Sequence, residues 1–85
     1  MKGMITKVEQ KPSYRGGFFW YVFFKLENGH TAKTCIYQNY NNSKRWMPII
    51  QKAESFLKSG QELWLDGLML RGNLVDADSQ FRLSA

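Results

Sequence analysis

Six of the seven residues from Phe18 to Phe24 are aromatic, and only Val22 interrupts them. In a β-strand, alternate side chains point to opposite faces, so this segment would place large rings on both faces of a sheet. A chain of 85 residues builds one modest hydrophobic core, which can take only one of the two sets of rings. The other set must therefore meet solvent or a partner.

The overall composition predicts one folded domain spanning residues 1–85. Hydrophobic residues make up 44% of the chain and charged residues 22%, which is typical of a globular protein and argues against disorder. The net charge of +5 favours an anionic partner, such as nucleic acid or an acidic membrane surface. Basic residues also surround the aromatic run, and rings interleaved with cations suit stacked bases and a phosphate backbone.

Two features of the chain predict its location in the cell. Cys35 is the only cysteine, which excludes an internal disulfide and a Cys-rich zinc site and favours a reducing compartment. The residues after Met1 are polar and lack the apolar stretch of a signal peptide, and no run approaches the ~18 apolar residues of a membrane span. We therefore expect a soluble, cytoplasmic protein that does not bind membranes.

Catalytic and metal-binding constellations are not evident in the sequence. The single histidine, His30, falls at a predicted turn, and no triad or pair of catalytic carboxylates can be assembled around it. Asp66, Asp76 and Asp78 lack a diagnostic metal-ligand spacing, and we expect them to pair with arginines or to cap turns. The sequence predicts a protein that is not an enzyme and needs neither a cofactor nor a metal.

Local patterns predict the element order β-β-β-α-β-β. Apolar residues at helical spacing predict a helix that packs through one face, formed by Trp46, Ile49, Ile50, Ala53, Phe56 and Leu57. Alternation, β-branched residues and turn residues predict the strands Met4–Glu9, Phe18–Leu26, Thr31–Tyr37, Glu62–Leu70 and Leu74–Leu83.

This element order resembles the OB-fold, a five-stranded Greek-key barrel that is mainly β, with one α-helix between strands three and four. Glycines near Gly3, Gly60 and Gly67 and the segment Gly60–Leu70 add to the resemblance, which covers almost the whole chain. The chain looks like a small single-stranded-DNA-binding OB protein of phage or plasmid type. The resemblance implies a ligand face on strands two and three, and a context of replication, recombination or protection of exposed strands.

The turn between strands two and three decides which rings face outward. A three-residue loop, Glu27–Gly29, pairs Leu26 with His30, whereas a two-residue Asn28–Gly29 turn shifts the pairing by one. We favour the three-residue loop, because the shorter turn places Lys33 on one face with large rings, and a buried lysine is costly. In the favoured register the inward face carries Trp20, Val22, Phe24, Leu26, Ala32, Thr34 and Ile36.

The residues expected to bind single-stranded nucleic acid form two groups. Aromatic residues would stack on bases, namely Tyr21, Phe23 and Tyr37, with Phe19 or Trp20 added according to the register. Basic residues would hold phosphates, namely Arg15, Lys25, Lys33 and Arg71. The expected ligand is single-stranded DNA, bound with weak sequence preference. Two alternatives remain open: an RNA-binding domain, and an adaptor that docks on a replication or secretion partner through the same aromatic face. Further possible partners are a second copy of the chain and replication or recombination proteins.

Overall fold

A computed structural model describes residues 1–84 and shows a mainly β protein with one helix. The sheet curls into a half-barrel and has seven strands in the order β5-β6-β3-β2-β1-β4-β7. The helix α1 spans Ser43–Lys58 and lies between β3 and β4 in the chain. The strands are β1 (Gly3–Pro12), β2 (Phe18–Leu26), β3 (Thr31–Tyr37), β4 (Trp64–Asp66), β5 (Leu70–Arg71), β6 (Leu74–Val75) and β7 (Arg82–Leu83).

The β2–β3 hairpin has the three-residue loop that the sequence favours. Lys25 pairs with Thr31, and the Leu26 N–H donates to the His30 carbonyl at 2.7 Å. Gly29 closes the loop with φ +88°, a conformation that glycine adopts without steric cost. This register sends Trp20, Val22, Phe24 and Leu26 of β2 inward and the odd-numbered residues outward.

The inward face of the hairpin forms the core together with one face of α1. Val22, Phe24 and Ile36 are almost completely buried, and Trp20 is only 6% exposed. The prediction that Trp20 belongs to the binding residues is therefore wrong, because the hairpin register places its indole in the core. Residues of the helix, β1, β4 and β6 complete this core, including Ile5, Trp46, Ile49, Ile50, Ala53, Leu65 and Val75.

A β-bulge in β1 changes which of its side chains face outward. The pairing with β2 shifts between Ile5, which lies opposite Phe24, and Lys7, which lies opposite Phe23. Without the extra residue at Thr6, the two-residue period would turn Lys7 inward with Ile5. The bulge instead places Lys7 and the alternate residues after it on the outward face.

The predicted fourth and fifth strands are each interrupted. Gly67 ends β4 with φ +85°, and a side chain there would lie 2.7 Å from the Gln80 carbonyl oxygen, so only glycine fits. In the fifth strand, residues 76–81 leave the ladder between β6 and β7. There the buried hydroxyl of Ser79 makes hydrogen bonds to the backbone in place of strand pairing. It accepts from the Met69 N–H at 2.8 Å and donates to the Asp76 carbonyl at 2.6 Å.

The predicted apolar face of the helix packs on the sheet and on this 76–81 segment. Trp46 is fully buried, its indole N–H donates to the Ala77 carbonyl at 2.8 Å, and its ring centroid lies 4.4 Å from that of Phe81. Leu57, at the end of the predicted face, is 39% exposed. Within residues 1–84, no helix has the length and apolar character required to cross a bilayer.

Candidate functional site

Five aromatic rings form a continuous row on the outward face of β2 and β3 and on the turn that follows β3. The order along the row is Phe23, Tyr21, Phe19, Tyr37 and Tyr40. The distances between successive ring centroids are 6.2, 5.2, 5.4 and 5.3 Å. We call these five residues the aromatic strip. Alternation along β2 explains the first three positions, and the register Phe19 opposite Tyr37 carries the row onto β3.

The strip is held in place yet open to solvent. Phe19, Tyr21 and Phe23 are half-buried by their neighbours, whereas Tyr37 is 40% exposed and Tyr40 is 58% exposed. Tilted and edge-to-face contacts between rings are favourable, so each ring restricts the next. Planar ligands would find ordered aromatic surfaces here and would not have to order flexible side chains.

Lysines accompany the rings on the same face. The Lys33 Nζ lies 5.3 Å from the Tyr21 ring centroid, and the Lys7 Nζ lies 5.8 Å from that of Phe23. Both distances allow a cation–π interaction, and both ammonium groups remain accessible to an anion. The face therefore combines stacking surfaces with positive charge.

One carboxylate lies among these lysines. Glu9 pairs with Tyr21 across the β1–β2 ladder, and its two carboxylate oxygens lie 2.7 Å from the Lys7 Nζ and 3.5 Å from the Lys11 Nζ. Hydrogen bonding from Lys7 lowers the pKa of Glu9, so the group is ionised at neutral pH. Lys7 and Glu9 are not among the residues predicted from the sequence, because nothing local to the chain signals the bulge that turns them toward the strip.

A groove of about 580 Å³ lies at the Tyr40 end of the strip. The loop between β1 and β2 forms one wall with Arg15 and the fully exposed Tyr14, opposite Tyr37 and Tyr40. The point at which this loop enters β2 is held by Gln38, the residue directly after β3, whose side-chain oxygen accepts from the Phe18 N–H at 2.9 Å. The structure thus brings Arg15 to the strip, as the sequence predicts.

A second groove, of about 420 Å³, lies at the Phe23 end of the strip. Lys33 and Asn73 contribute to its lining, and the Lys33 N–H donates to the Asn73 carbonyl at 3.2 Å. Arg71 lies in the neighbouring β5, outside the lining of both grooves, and its guanidinium is 3.6 Å from Asp76. Lys25 is exposed at the hairpin end of the outward face, also outside both linings. These two predicted phosphate contacts are peripheral to the strip.

The lone thiol lies on the same face and is not activated. Burial raises the pKa of the Cys35 thiol, which leaves little reactive thiolate at neutral pH. Hydrogen bonding with Cys35 raises the pKa of the Tyr37 phenol, so this ring stays uncharged and does not repel a phosphate. Among residues 1–84, no three His, Cys, Asp or Glu side chains come together as metal ligands.

No known protein family, curated protein or solved structure matches this chain. The fold and the outward face of β1, β2 and β3 are therefore the features that indicate a function. That face offers aromatic surfaces for planar ligands and ammonium groups for anions, arranged between two grooves.

Proposed function

We propose that this protein binds single-stranded nucleic acid, in particular single-stranded DNA, along the aromatic strip. The observation that carries the proposal is the unbroken row of five rings on a solvent-facing sheet surface. Bases of a single strand offer both ring faces for stacking, whereas in a duplex these faces are covered by neighbouring base pairs. Stacking on aromatic side chains contributes about 1–3 kcal/mol per base and depends little on base identity.

The basic residues would bind the phosphates of the same strand. Arg15 and Lys33 border the grooves at the two ends of the strip, so a strand that follows the rings would pass both. Lys25 and Arg71 would contribute at the periphery. Each neutralised phosphate releases counterions, so affinity should fall steeply as the salt concentration rises.

The chain path supports an OB-fold as the scaffold of this site. β1, β2 and β3 form an antiparallel meander, α1 follows β3, β4 pairs with β1, and β6 pairs in parallel with β3. In this interpretation β4 and β5 are two parts of a bent fourth strand, and β6 and β7 are two parts of a fifth. OB-folds bind oligonucleotides on the outer surface of strands two and three, which matches the location of the strip.

The proposal describes a binding protein rather than an enzyme, acting in the cytoplasm during replication, recombination or protection of exposed strands. A second copy of the chain or a replication protein would then bind elsewhere on the molecule. An adaptor that uses the strip itself to dock on a protein is the competing account, since exposed aromatic patches also mark protein interfaces.

Fluorescence anisotropy of a labelled eight-nucleotide thymidine oligomer, dT8, tests the proposal. Anisotropy reports on the labelled oligomer directly, whereas two of the three tryptophans, Trp20 and Trp46, are buried in the core. We expect saturable binding at 20 mM salt that weakens at least tenfold at 200 mM salt. The matched RNA oligomer, rU8, is titrated in parallel as the comparison of DNA with RNA. Absence of binding at 20 mM salt would contradict the proposal and favour the adaptor, and tighter binding of rU8 would reassign the ligand to RNA.

A further inference from the structure

Lys7, Glu9 and Lys11 form a charge triad on the outward face of β1. They lie opposite Phe23, Tyr21 and Phe19 respectively, directly beside the aromatic strip. The Lys7 Nζ contacts one carboxylate oxygen of Glu9 and the Lys11 Nζ contacts the other, at 2.7 and 3.5 Å. The order along the strand is therefore cation, anion, cation.

The triad retains unused hydrogen-bonding capacity. An ammonium group has three donors, and a carboxylate accepts about four hydrogen bonds. Each ion pair here uses one lysine donor and one acceptor position of Glu9, so both kinds of group have positions left for a ligand. The side chains of Lys7, Glu9 and Lys11 are 64%, 29% and 48% exposed, so a ligand can reach them. The triad thus presents donor, acceptor and donor groups in sequence without breaking its ion pairs.

We propose that this triad recognises the Watson–Crick edge of a thymine base stacked on Tyr21, an inference that rests on the proposed function. The thymine edge reads acceptor (O4), donor (N3–H), acceptor (O2), which complements Lys7, Glu9 and Lys11. Cytosine reads donor, acceptor, acceptor, so it mismatches the triad at Lys7 and at Glu9. Guanine reads acceptor, donor, donor, so it mismatches the triad at Lys11. Cross-strand neighbours have Cβ atoms about 5 Å apart, which places the edge of a base on Tyr21 within reach of Glu9.

The central contact is the N3–H of thymine donating to the Glu9 carboxylate, and it can be removed from the ligand alone. The test compares labelled dT8 with the same oligomer in which every thymine carries a methyl group on N3. Wild-type protein should bind dT8 about tenfold more tightly, the size of a good base-edge contact. In Glu9→Ala this ratio should fall to about twofold or less. Since both ligands gain equally from the loss of a negative charge, the ratio isolates the base contact.

Glu54→Ala is the matched control, because it removes an exposed carboxylate on α1, away from the strip, and should keep the wild-type ratio. Equal ratios in wild type and Glu9→Ala would overturn the inference while leaving the proposed function intact. A wild-type preference for dC8 over dT8 would likewise overturn it. Failure of all oligomers to bind would instead contradict the proposed function itself.

Discussion

Lys33 and Tyr37 lie on the same face of β3 and are expected to bind different parts of a DNA strand. Replacing Lys33 by Ala should weaken binding to all sequences and reduce the salt slope, log K against log [salt], by about 0.7, because one phosphate contact is lost. Tyr37→Leu should cost about 1–3 kcal/mol of binding free energy with the slope unchanged, because stacking releases no counterions. Anisotropy titrations at four salt concentrations measure both quantities.

Lys52→Ala is the control for Lys33→Ala. The Lys52 Nζ lies 5.9 Å from the centroid of the Phe56 ring on α1. This substitution therefore also removes a lysine–aromatic contact, but one far from the strip. This variant should leave both affinity and slope unchanged. Equal changes of slope in the Lys33 and Tyr37 variants would contradict the roles assigned to them.

For individual residues, the sequence predicts most, but not all, of the side chains that lie on the outward face. The costly burial of a lysine was enough to favour the hairpin register, and with it the outward positions of Tyr21, Phe23 and Lys33. Glu9 was missed because a bulge obeys backbone geometry and tertiary pairing rather than a periodic pattern of residue types.

The loop between β1 and β2 depends on two glycines with left-handed backbone conformations. A Cβ at Gly17 (φ +71°) would lie 2.6 Å from the Gln38 side-chain oxygen, whereas one at Gly16 (φ +86°) meets nothing within 4 Å. Gly16→Ala should therefore cost only the backbone strain, about 1–3 kcal/mol. Gly17→Ala should cost more and should also weaken oligonucleotide binding, because displacement of Gln38 releases the wall of the first groove.

Urea unfolding and anisotropy of the two glycine variants, measured side by side, test this account of the loop. If Gly16→Ala and Gly17→Ala destabilised the protein equally and bound dT8 alike, the anchoring role of Gln38 would be wrong.

The helix is attached to the 76–81 segment through the Trp46 indole. Trp46→Phe keeps a buried ring but leaves the Ala77 carbonyl without its donor, which should cost about 1–3 kcal/mol in the free energy of unfolding in addition to the packing lost with the smaller ring. Trp64→Phe is the control. The Trp64 indole N–H donates at 3.1 Å to the Glu62 carboxylate at an exposed site, where water can replace the lost donor. Equal losses in urea unfolding would contradict the role of the Trp46 bond.

Elements with a strong local signal were predicted closely, and those held by tertiary bonds were not. The bounds predicted for β2 and β3 agree with the structure, because the aromatic and β-branched residues and the loop Glu27–Gly29 specify them locally. After Gly60, the observed strands are shorter than the predicted ones, and each predicted strand is interrupted. There the hydroxyl of Ser79 and the carbonyl of Gln80 decide the path, and neither contact has a periodic signature in the sequence.

Binding should stabilise the whole molecule, because a strand that contacts β1, β2 and β3 binds only the folded chain. At a free ligand concentration of 100 times Kd the gain is about 2.7 kcal/mol. For a domain of this size it should raise Tm by about 10–20 °C. A thermal melt with and without dT8 at 20 mM salt measures the shift, and 1 M salt should abolish it. A shift that persisted at 1 M salt would contradict a phosphate-dependent mode of binding.

The central claim is that single-stranded DNA binds the outward face of β1, β2 and β3. An NMR titration of the uniformly ¹⁵N-labelled full chain with dT8 at 20 mM salt tests it most directly. We predict that the backbone amides with the largest shifts belong to β1–β3, to the loop at residues 13–17 and to residues 39–40, while the solvent-exposed face of α1 stays unchanged. Shifts centred on α1, or no shifts at all, would contradict the claim.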